Sequence, residues 1–127
     1  MSEEINEIII NCIKYIPANQ EQGIVNYLSP LINQYVLVRC RDAGVHAGIL
    51  YSTRDRQCVL RDSRRLWYWK PKKGCFLSAV AEFGLHSDSK VSTTMSNLIQ
   101  LTENCEIIGC SNIASKSIRE IKDYESN

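Results

Sequence analysis

The chain has 127 residues, of which 44% are hydrophobic and 23% charged, a composition typical of one folded domain rather than a disordered protein. The net charge of +1 is too small for a protein that coats duplex DNA. No apolar run approaches the roughly 18 residues of a membrane-spanning helix, and the acidic start lacks the order of a signal peptide. We therefore expect a cytoplasmic protein with no membrane and no duplex nucleic acid as partner.

Positive charge is concentrated in the middle of the chain. Residues 39–73 contain seven Arg and three Lys against three Asp, a local net charge of +7. Residues 1–38 and residues 74–127 each sum to −3. This asymmetry predicts an anionic partner for the central segment.

The first 33 residues are predicted to form a helical extension. Apolar residues between Ile5 and Ile16 recur with the period of a helix, and Pro17 ends that helix because the residue before a proline avoids the helical region. A second, shorter helix is predicted to end near Pro30. We assign residues 1–33 to the extension and residues 34–127 to an α+β ligand-binding domain, within one compact domain overall.

From Tyr35 the hydrophobic period changes to two, which predicts strands. Because the turns between these strands are short, neighbouring strands must be antiparallel. The predicted strands of this meander are residues 35–41, 45–51, 57–61 and 65–69.

The remainder of the chain adds two helices and two strands. One or two helical turns are predicted at residues 76–83, ended by Gly84, and strands are predicted at residues 97–102 and 105–109. Ser111 is predicted to cap a last helix. The predicted fold class is α+β, a curled, barrel-like antiparallel meander flanked by N-terminal and C-terminal helices.

The sequence lacks the usual signatures of catalysis. It has no phosphate-binding loop, no dinucleotide-binding glycine pattern and no nucleophile elbow. Its two histidines, His46 and His86, have no metal-ligand spacing, and its six cysteines contain no C-x-x-C pair, so they are predicted to be reduced core thiols. We expect no metal, no cofactor and no enzyme activity. The catalytic alternative is a small phosphodiesterase that uses His46, the one candidate acid-base group.

The segment from Arg61 to Lys70 carries the strongest functional signal. If it is a strand, Arg65, Trp67 and Trp69 share one face, because side chains alternate along a strand. Guanidinium groups match phosphate oxygens, and flat rings stack on purines. The structural alternative is that both tryptophans belong to the core and that the arginines form its solvated rim.

Other polar residues fit either a ligand or a purely structural role. His46 lies between two glycines, where a satisfied structural histidine is the simpler interpretation. Residues 87–97 are rich in hydroxyl and amide groups that suit ribose and phosphate, although such a loop is often only solvated. Lys116 and Arg119 are three apart on one helix face, an arrangement suited to an anion.

Three blocks of sequence, taken in order, are similar to one family of phage proteins. The blocks are Arg39-Cys-Arg-Asp-Ala-Gly-Val-His-Ala-Gly-Ile-Leu, Val59-Leu-Arg-Asp-Ser-Arg-Arg-Leu-Trp-Tyr-Trp and Leu101-Thr-Glu-Asn-Cys-Glu-Ile-Ile-Gly-Cys110. Over residues 35–121 they resemble the phage anti-Thoeris family, the first described type of Thoeris sponge.

This resemblance implies a protein that sequesters glycocyclic ADP-ribose signals without cleaving them, in the cytoplasm of an infected bacterial host. It implies cyclic trinucleotides as a second ligand class, held at separate sites, and a homodimer or a homohexamer built as a trimer of dimers. The residues implied for the first ligand are His46, Arg64, Arg65, Trp67, Trp69, Phe83, Asn97, Lys116 and Arg119. The residues implied for the trinucleotide are Arg39, Arg41 and Thr94.

A different class of function also fits the basic segment. A small structural or nucleic-acid-binding adaptor would use the same residues to bind nucleic acid weakly, with strong salt dependence and no preference for a small ligand.

Overall fold

The computed structural model describes residues 29–125, so nearly all of the predicted N-terminal extension lies outside the described residues. The α+β domain begins at Leu31. Its strands are β1 (Tyr35–Cys40), β2 (Gly44–Arg54), β3 (Gln57–Tyr68), β4 (Lys90–Val91), β5 (Ile99–Thr102) and β6 (Asn104–Gly109). Its helices are α1 (Leu77–Phe83) and α2 (Asn112–Glu120).

The described part of the chain contains one six-stranded antiparallel sheet together with the two helices, which confirms the predicted fold class. The strand order is β4-β3-β2-β1-β6, and β5 pairs with β3. The sheet does not close on itself, so it is not a barrel. No helix among residues 29–125 is both long and apolar enough to cross a membrane.

The predicted boundaries were most accurate at the helices. Gly84 ends α1 with a φ of 96°, a conformation that glycine adopts without strain. Ser111 caps α2, since its hydroxyl oxygen accepts a hydrogen bond from the main-chain N of Ala114 at 3.0 Å. The prediction of separate strands at residues 57–61 and 65–69 was wrong, because β3 runs without a break through the bulged region around Asp62.

Side chains alternate between two faces of the sheet, and both faces contribute to the core. On one face Leu37 and Leu66 pack with Val80 of α1 and Ile118 of α2; we call it the helix-covered face. On the second face the buried residues are Val36, Val38, Cys40, Leu50, Cys58, Leu60 and Leu101. In a simple two-layer fold one face of the sheet is apolar and the other is polar. Here both faces carry buried apolar residues.

Within the described residues the cysteines divide between the core and the surface, whereas Cys12, also predicted to be a core thiol, lies outside those residues. Cys40 and Cys58 are buried as predicted, and burial raises the pKa of the Cys58 thiol to about 11. Cys110 is partly buried, and its pKa is raised to about 12 for the same reason. The prediction was wrong for Cys75 and Cys105, which are exposed.

Candidate ligand-binding surface

Arg64 and Arg65, which the sequence placed in one phosphate-binding group, lie on opposite faces of the sheet. Arg64 is paired with Ala47 on the helix-covered face, whereas Arg65 is paired with His46 on the second face. Residues directly opposite each other in an antiparallel pair share a face. The two guanidinium groups therefore cannot grip the same phosphate from this strand.

Arg64 has a structural role. Its side chain is 2% exposed. The guanidinium group donates hydrogen bonds to the main-chain oxygens of Ser92 (2.8 Å), Ile118 (2.8 Å), Arg119 (3.3 Å) and Ile121 (2.8 Å), and to Oδ1 of Asp123 (2.6 Å). These acceptors include carbonyls at the end of α2, where a cation is favoured. The prediction that Arg64 binds the ligand is therefore wrong, because its guanidinium group is buried and hydrogen-bonded within the domain.

His46 also serves the fold rather than a ligand. It is 1% exposed, and its Nε2 lies 2.9 Å from the main-chain oxygen of Ala43, to which it donates. Burial lowers the pKa of His46; the hydrogen bond to Ala43 opposes this shift, and the nearby charge of Arg65 adds to it. The structural interpretation is the better one, and the prediction of ligand contact by His46 is not supported by this geometry.

Arg65 and Trp67 are the two predicted residues that the structure presents together to solvent. Both are exposed, and Leu66 between them is buried on the helix-covered face. Trp67 is 67% exposed, which is unusual for the largest apolar side chain. Trp69 was wrongly grouped with them, because β3 ends at Tyr68 and the Trp69 ring packs, half-buried, against the core.

Two residues that the sequence did not single out complete this surface. The ammonium nitrogen of Lys90 lies 5.3 Å from the ring centre of Trp67 and 5.2 Å from that of Tyr124. The two rings are 5.4 Å apart between centres and tilted by 41°. We call the group Arg65, Trp67, Lys90 and Tyr124 the Trp67 surface. It combines two aromatic rings and Lys90 at the β3–β4 edge of the sheet with the exposed Arg65 of β3, whose charge also acts on His46 of β2.

Backbone contacts fix the positions of both added residues. Lys90 belongs to the two-residue strand β4 and is paired with Tyr68 of β3. The main-chain N of Tyr124 donates to the main-chain oxygen of Val91 at 2.8 Å. The only sequence signal for Lys90 was its place in the hydroxyl-rich segment at residues 87–97. Nothing in the pattern of the chain pointed to Tyr124.

A cleft shares Tyr124 with the Trp67 surface. Its volume is about 370 Å³, and its lining residues are Ser87, Ser89, Lys122, Asp123, Tyr124 and Glu125. The lining is polar and holds Lys122 together with the carboxylates of Asp123 and Glu125, so the cleft suits hydroxyl groups better than phosphate. Because Tyr124 belongs to both, the cleft and the Trp67 surface meet at this one side chain.

The remaining residues predicted for the first ligand lie elsewhere. Lys116 and Arg119 are exposed on α2, which packs on the helix-covered face, and the guanidinium carbon of Arg119 lies 4.5 Å from the ring centre of Tyr35. Phe83, at the end of α1, is 38% exposed with the ammonium nitrogen of Lys73 5.4 Å from its ring centre. Within one copy of the domain, these side chains belong to the two helices, whereas Trp67 and Lys90 belong to strands β3 and β4.

Asn97 and Thr94 lie exposed in the segment between β4 and β5. This segment runs beside β3, since the main-chain N of Met95 donates to the oxygen of Ser63 at 2.8 Å. Arg39, predicted for the trinucleotide with Thr94, lies on β1, and β2 separates β1 from β3. The predicted second site is therefore not assembled around Thr94.

The two arginines of that predicted site have acidic neighbours. Arg39 Nε lies 2.8 Å from a carboxylate oxygen of Glu106 on β6, and Arg41 pairs with the adjacent Asp42 at 3.2 Å. Both pairs are well exposed, so they cost little to separate. The role of Arg39 and Arg41 in binding a trinucleotide stays a prediction, and each of the two side chains is paired with a different acidic residue.

The side chains that commonly bind metal ions are dispersed in the described part of the chain. Among residues 29–125 no group of three or more His, Cys, Asp or Glu side chains is arranged to hold a metal ion.

The fold described above is that of a small α+β domain. The family described as a domain of unknown function, DUF6948, matches residues 33–118, and the chain belongs to this family. No curated protein and no solved structure is detectably similar to the chain.

Proposed function

We propose that the protein binds and sequesters a cyclic nucleotide signal without cleaving it, with glycocyclic ADP-ribose as the first ligand class and cyclic trinucleotides as the second. The observation that carries the proposal is the exposed indole of Trp67, with Lys90 beside it and the exposed Arg65 two residues away in β3. The sequence resemblance to the anti-Thoeris sponges supports the same ligand classes. The setting would be the cytoplasm of an infected bacterium.

The chemistry of the Trp67 surface suits an adenine nucleotide. Stacking of one base on an aromatic side chain contributes about 1–3 kcal/mol. Arg65 lies two residues from Trp67, about 7 Å along the strand, within reach of a phosphate attached to a base stacked on the indole. Lys90 adds a second cation next to the ring. One ring and two cations suit a ligand that joins adenine to a diphosphate.

Sequestration rather than turnover is favoured by the position of His46. The phosphodiesterase alternative needs this imidazole to reach a ligand, but the ring is buried and donates to Ala43. A protein that only holds its ligand works by mass action, so affinity and abundance determine its effect.

An open surface on one copy leaves most of a small ligand in water, whereas ligand sites commonly bury 70–90% of a ligand. The predicted contacts are also divided, with Arg65 and Trp67 on one side of the domain and Lys116 and Arg119 on the helical layer. We therefore propose a homodimer, or a trimer of dimers, in which the helical layer of one copy covers the Trp67 surface of another. The two groups of residues would then meet on one ligand.

The proposal is tested by capture and release. The purified protein is mixed with glycocyclic ADP-ribose, passed through a desalting column and then denatured by heat, and the ligand is measured by mass spectrometry. We expect the ligand to elute with the protein and to be recovered intact. Free ligand in the first step would contradict binding, and a hydrolysed ligand after release would contradict sequestration.

A second candidate is favoured by the openness of the same surface. Exposed rings flanked by cations also bind single-stranded nucleic acid, as the adaptor alternative requires. Titration with a short oligonucleotide at increasing salt distinguishes the two. Weak binding that falls steeply with salt, with no capture of glycocyclic ADP-ribose, would favour the adaptor.

A further inference from the structure

Residues 122–125, which follow α2, lie as a strap along the edge of the sheet; we call this segment the strap. Asp123 Oδ1 lies 2.6 Å from a terminal guanidinium nitrogen of the buried Arg64. One residue later, the main-chain N of Tyr124 donates to the oxygen of Val91 at 2.8 Å. The strap is therefore pinned at two consecutive residues, once to the core and once to the edge strand.

The strap places the ring of Tyr124 against Trp67. The two ring centres are 5.4 Å apart, and the rings are tilted by 41°. A base inserted between two rings needs two contact distances of about 3.5 Å, roughly 7 Å in all. A nucleotide therefore cannot enter between Tyr124 and Trp67 while the strap holds this position.

Tyr124 also lines the cleft described above, whose volume of about 370 Å³ is at the small end of the range of about 300–1,000 Å³ that ligand pockets occupy. Because this residue both lines the cleft and contacts Trp67, a movement of Tyr124 would change both features.

We infer that the strap is an autoinhibitory latch, in which Tyr124 covers one part of the otherwise exposed indole of Trp67, the part on which the base of the ligand stacks, and the Arg64–Asp123 ion pair holds the latch closed. This inference rests on the proposed function and adds a gate to the same site. Ligand binding then requires that the strap moves away, and the fraction of molecules with an open strap limits the apparent affinity.

The contacts of Arg64 allow the strap to open without unfolding the domain. The Asp123 side chain is 46% exposed, so water can replace its bond to the guanidinium group. Arg64 would keep its hydrogen bonds to the main-chain oxygens of Ser92, Ile118 and Ile121, none of which belongs to the strap. The latch is thus a small movable segment attached to a fixed anchor.

The latch is tested with Asp123→Asn, which removes the charge of the pair and keeps an oxygen that can accept from Arg64. The matched control is Glu120→Gln, which removes one exposed negative charge nearby. Stopped-flow fluorescence follows binding of glycocyclic ADP-ribose, and hydrogen exchange follows the amide of Tyr124. We expect Asp123→Asn to bind about three- to tenfold faster, because more molecules have an open strap, and to exchange the Tyr124 amide faster, whereas Glu120→Gln matches the wild type.

Tyr124→Ala provides a second, independent variant, because it removes the blocking ring and leaves Asp123 with Arg64. We expect tighter binding than in the wild type. If the wild type binds the ligand and neither Asp123→Asn nor Tyr124→Ala binds it faster or more tightly, the latch is overturned and the proposed function is unaffected. Binding by Tyr124→Ala alone would support the latch, and absence of binding in every variant would overturn both proposals.

Discussion

Arg64 and Arg65 are neighbours in β3, yet the guanidinium group of Arg64 is buried beneath α2 and that of Arg65 is exposed on the opposite face of the sheet. The alternation of the strand separates a residue that holds the fold from one that is available to a ligand. This division determines which substitutions should affect stability and which should affect binding.

Substitution of Arg64 should destabilise the domain. Arg64→Ala leaves the carbonyls of Ile118 and Ile121 without their donor, and each orphaned buried polar group costs about 1–3 kcal/mol. We expect the free energy of unfolding, measured in urea, to fall by about 3 kcal/mol. The exposed Arg61→Ala is the control and should change it by less than about 0.5 kcal/mol. Equal stability of the two variants would refute the structural role of Arg64.

Tyr35 should make the domain less stable at alkaline pH. Burial raises the pKa of Tyr35 from 10.0 to about 12, against the opposing effect of the Arg119 charge. Between these two values the unfolded phenol loses its proton and the folded one keeps it, so stability is full below pH 10 and falls as the pH rises toward 12. The loss can reach about 1.4 kcal/mol per pH unit.

The matched variant is Tyr35→Phe, since the buried hydroxyl has no hydrogen-bond partner among the described residues. We expect equal or greater stability than the wild type at neutral pH, and a shallower decline of the free energy of unfolding above pH 10. Parallel declines in the two proteins would show that Tyr35 is not the group responsible.

His46 should have the opposite effect at acidic pH. Its pKa is lowered from 6.5 by burial, so the unfolded chain takes up a proton before the folded domain does. The contribution to stability is present above pH 6.5 and is lost as the pH falls below it. His46→Gln keeps a donor for the oxygen of Ala43 and should flatten this acid slope in urea titrations, whereas His86→Gln should retain it. An unchanged slope in His46→Gln would contradict the buried neutral ring.

Gly84 should not tolerate a side chain. A Cβ at this position would lie 2.6 Å from Cβ and Oγ of Ser117, and the φ of +96° is already strained for any other residue. Gly44, with a φ of +83° and no atom within 4 Å of its added Cβ, isolates the effect of backbone strain. Gly84→Ala should therefore lower the midpoint of thermal unfolding more than Gly44→Ala does, and the reverse order would contradict the close contact of α1 with α2.

Much of the fold could be predicted because it depends on local signals. Period-two runs located β1 and β2, and the chemistry of Gly84 and Ser111 located the ends of helices. That the sheet stays open rather than curling into a barrel could not be predicted in this way, because it depends on which strands pair. The two residues of β4 carry too short a pattern to be recognised.

The candidate site was predicted less completely, for a physical reason. Arg65 and Trp67 are both exposed. Alternation cannot show, however, that Arg64 finds three main-chain acceptors at the end of a helix more than fifty residues away. Tyr124 contacts Trp67 because of the path that the chain takes after α2, and Lys90 contacts it because β4 returns to pair with β3. Tertiary contacts of this kind have no signature in sequence spacing.

The most direct test of the account is a calorimetric titration of glycocyclic ADP-ribose into the wild type, Trp67→Ala and Tyr51→Ala, the last removing another exposed aromatic residue outside the Trp67 surface. Loss of one base stack of about 1–3 kcal/mol should weaken binding by Trp67→Ala about 5- to 150-fold. All three proteins should unfold at similar temperatures, and Tyr51→Ala should bind like the wild type. Equal affinity in Trp67→Ala and the wild type would contradict the claim that the exposed indole holds the ligand.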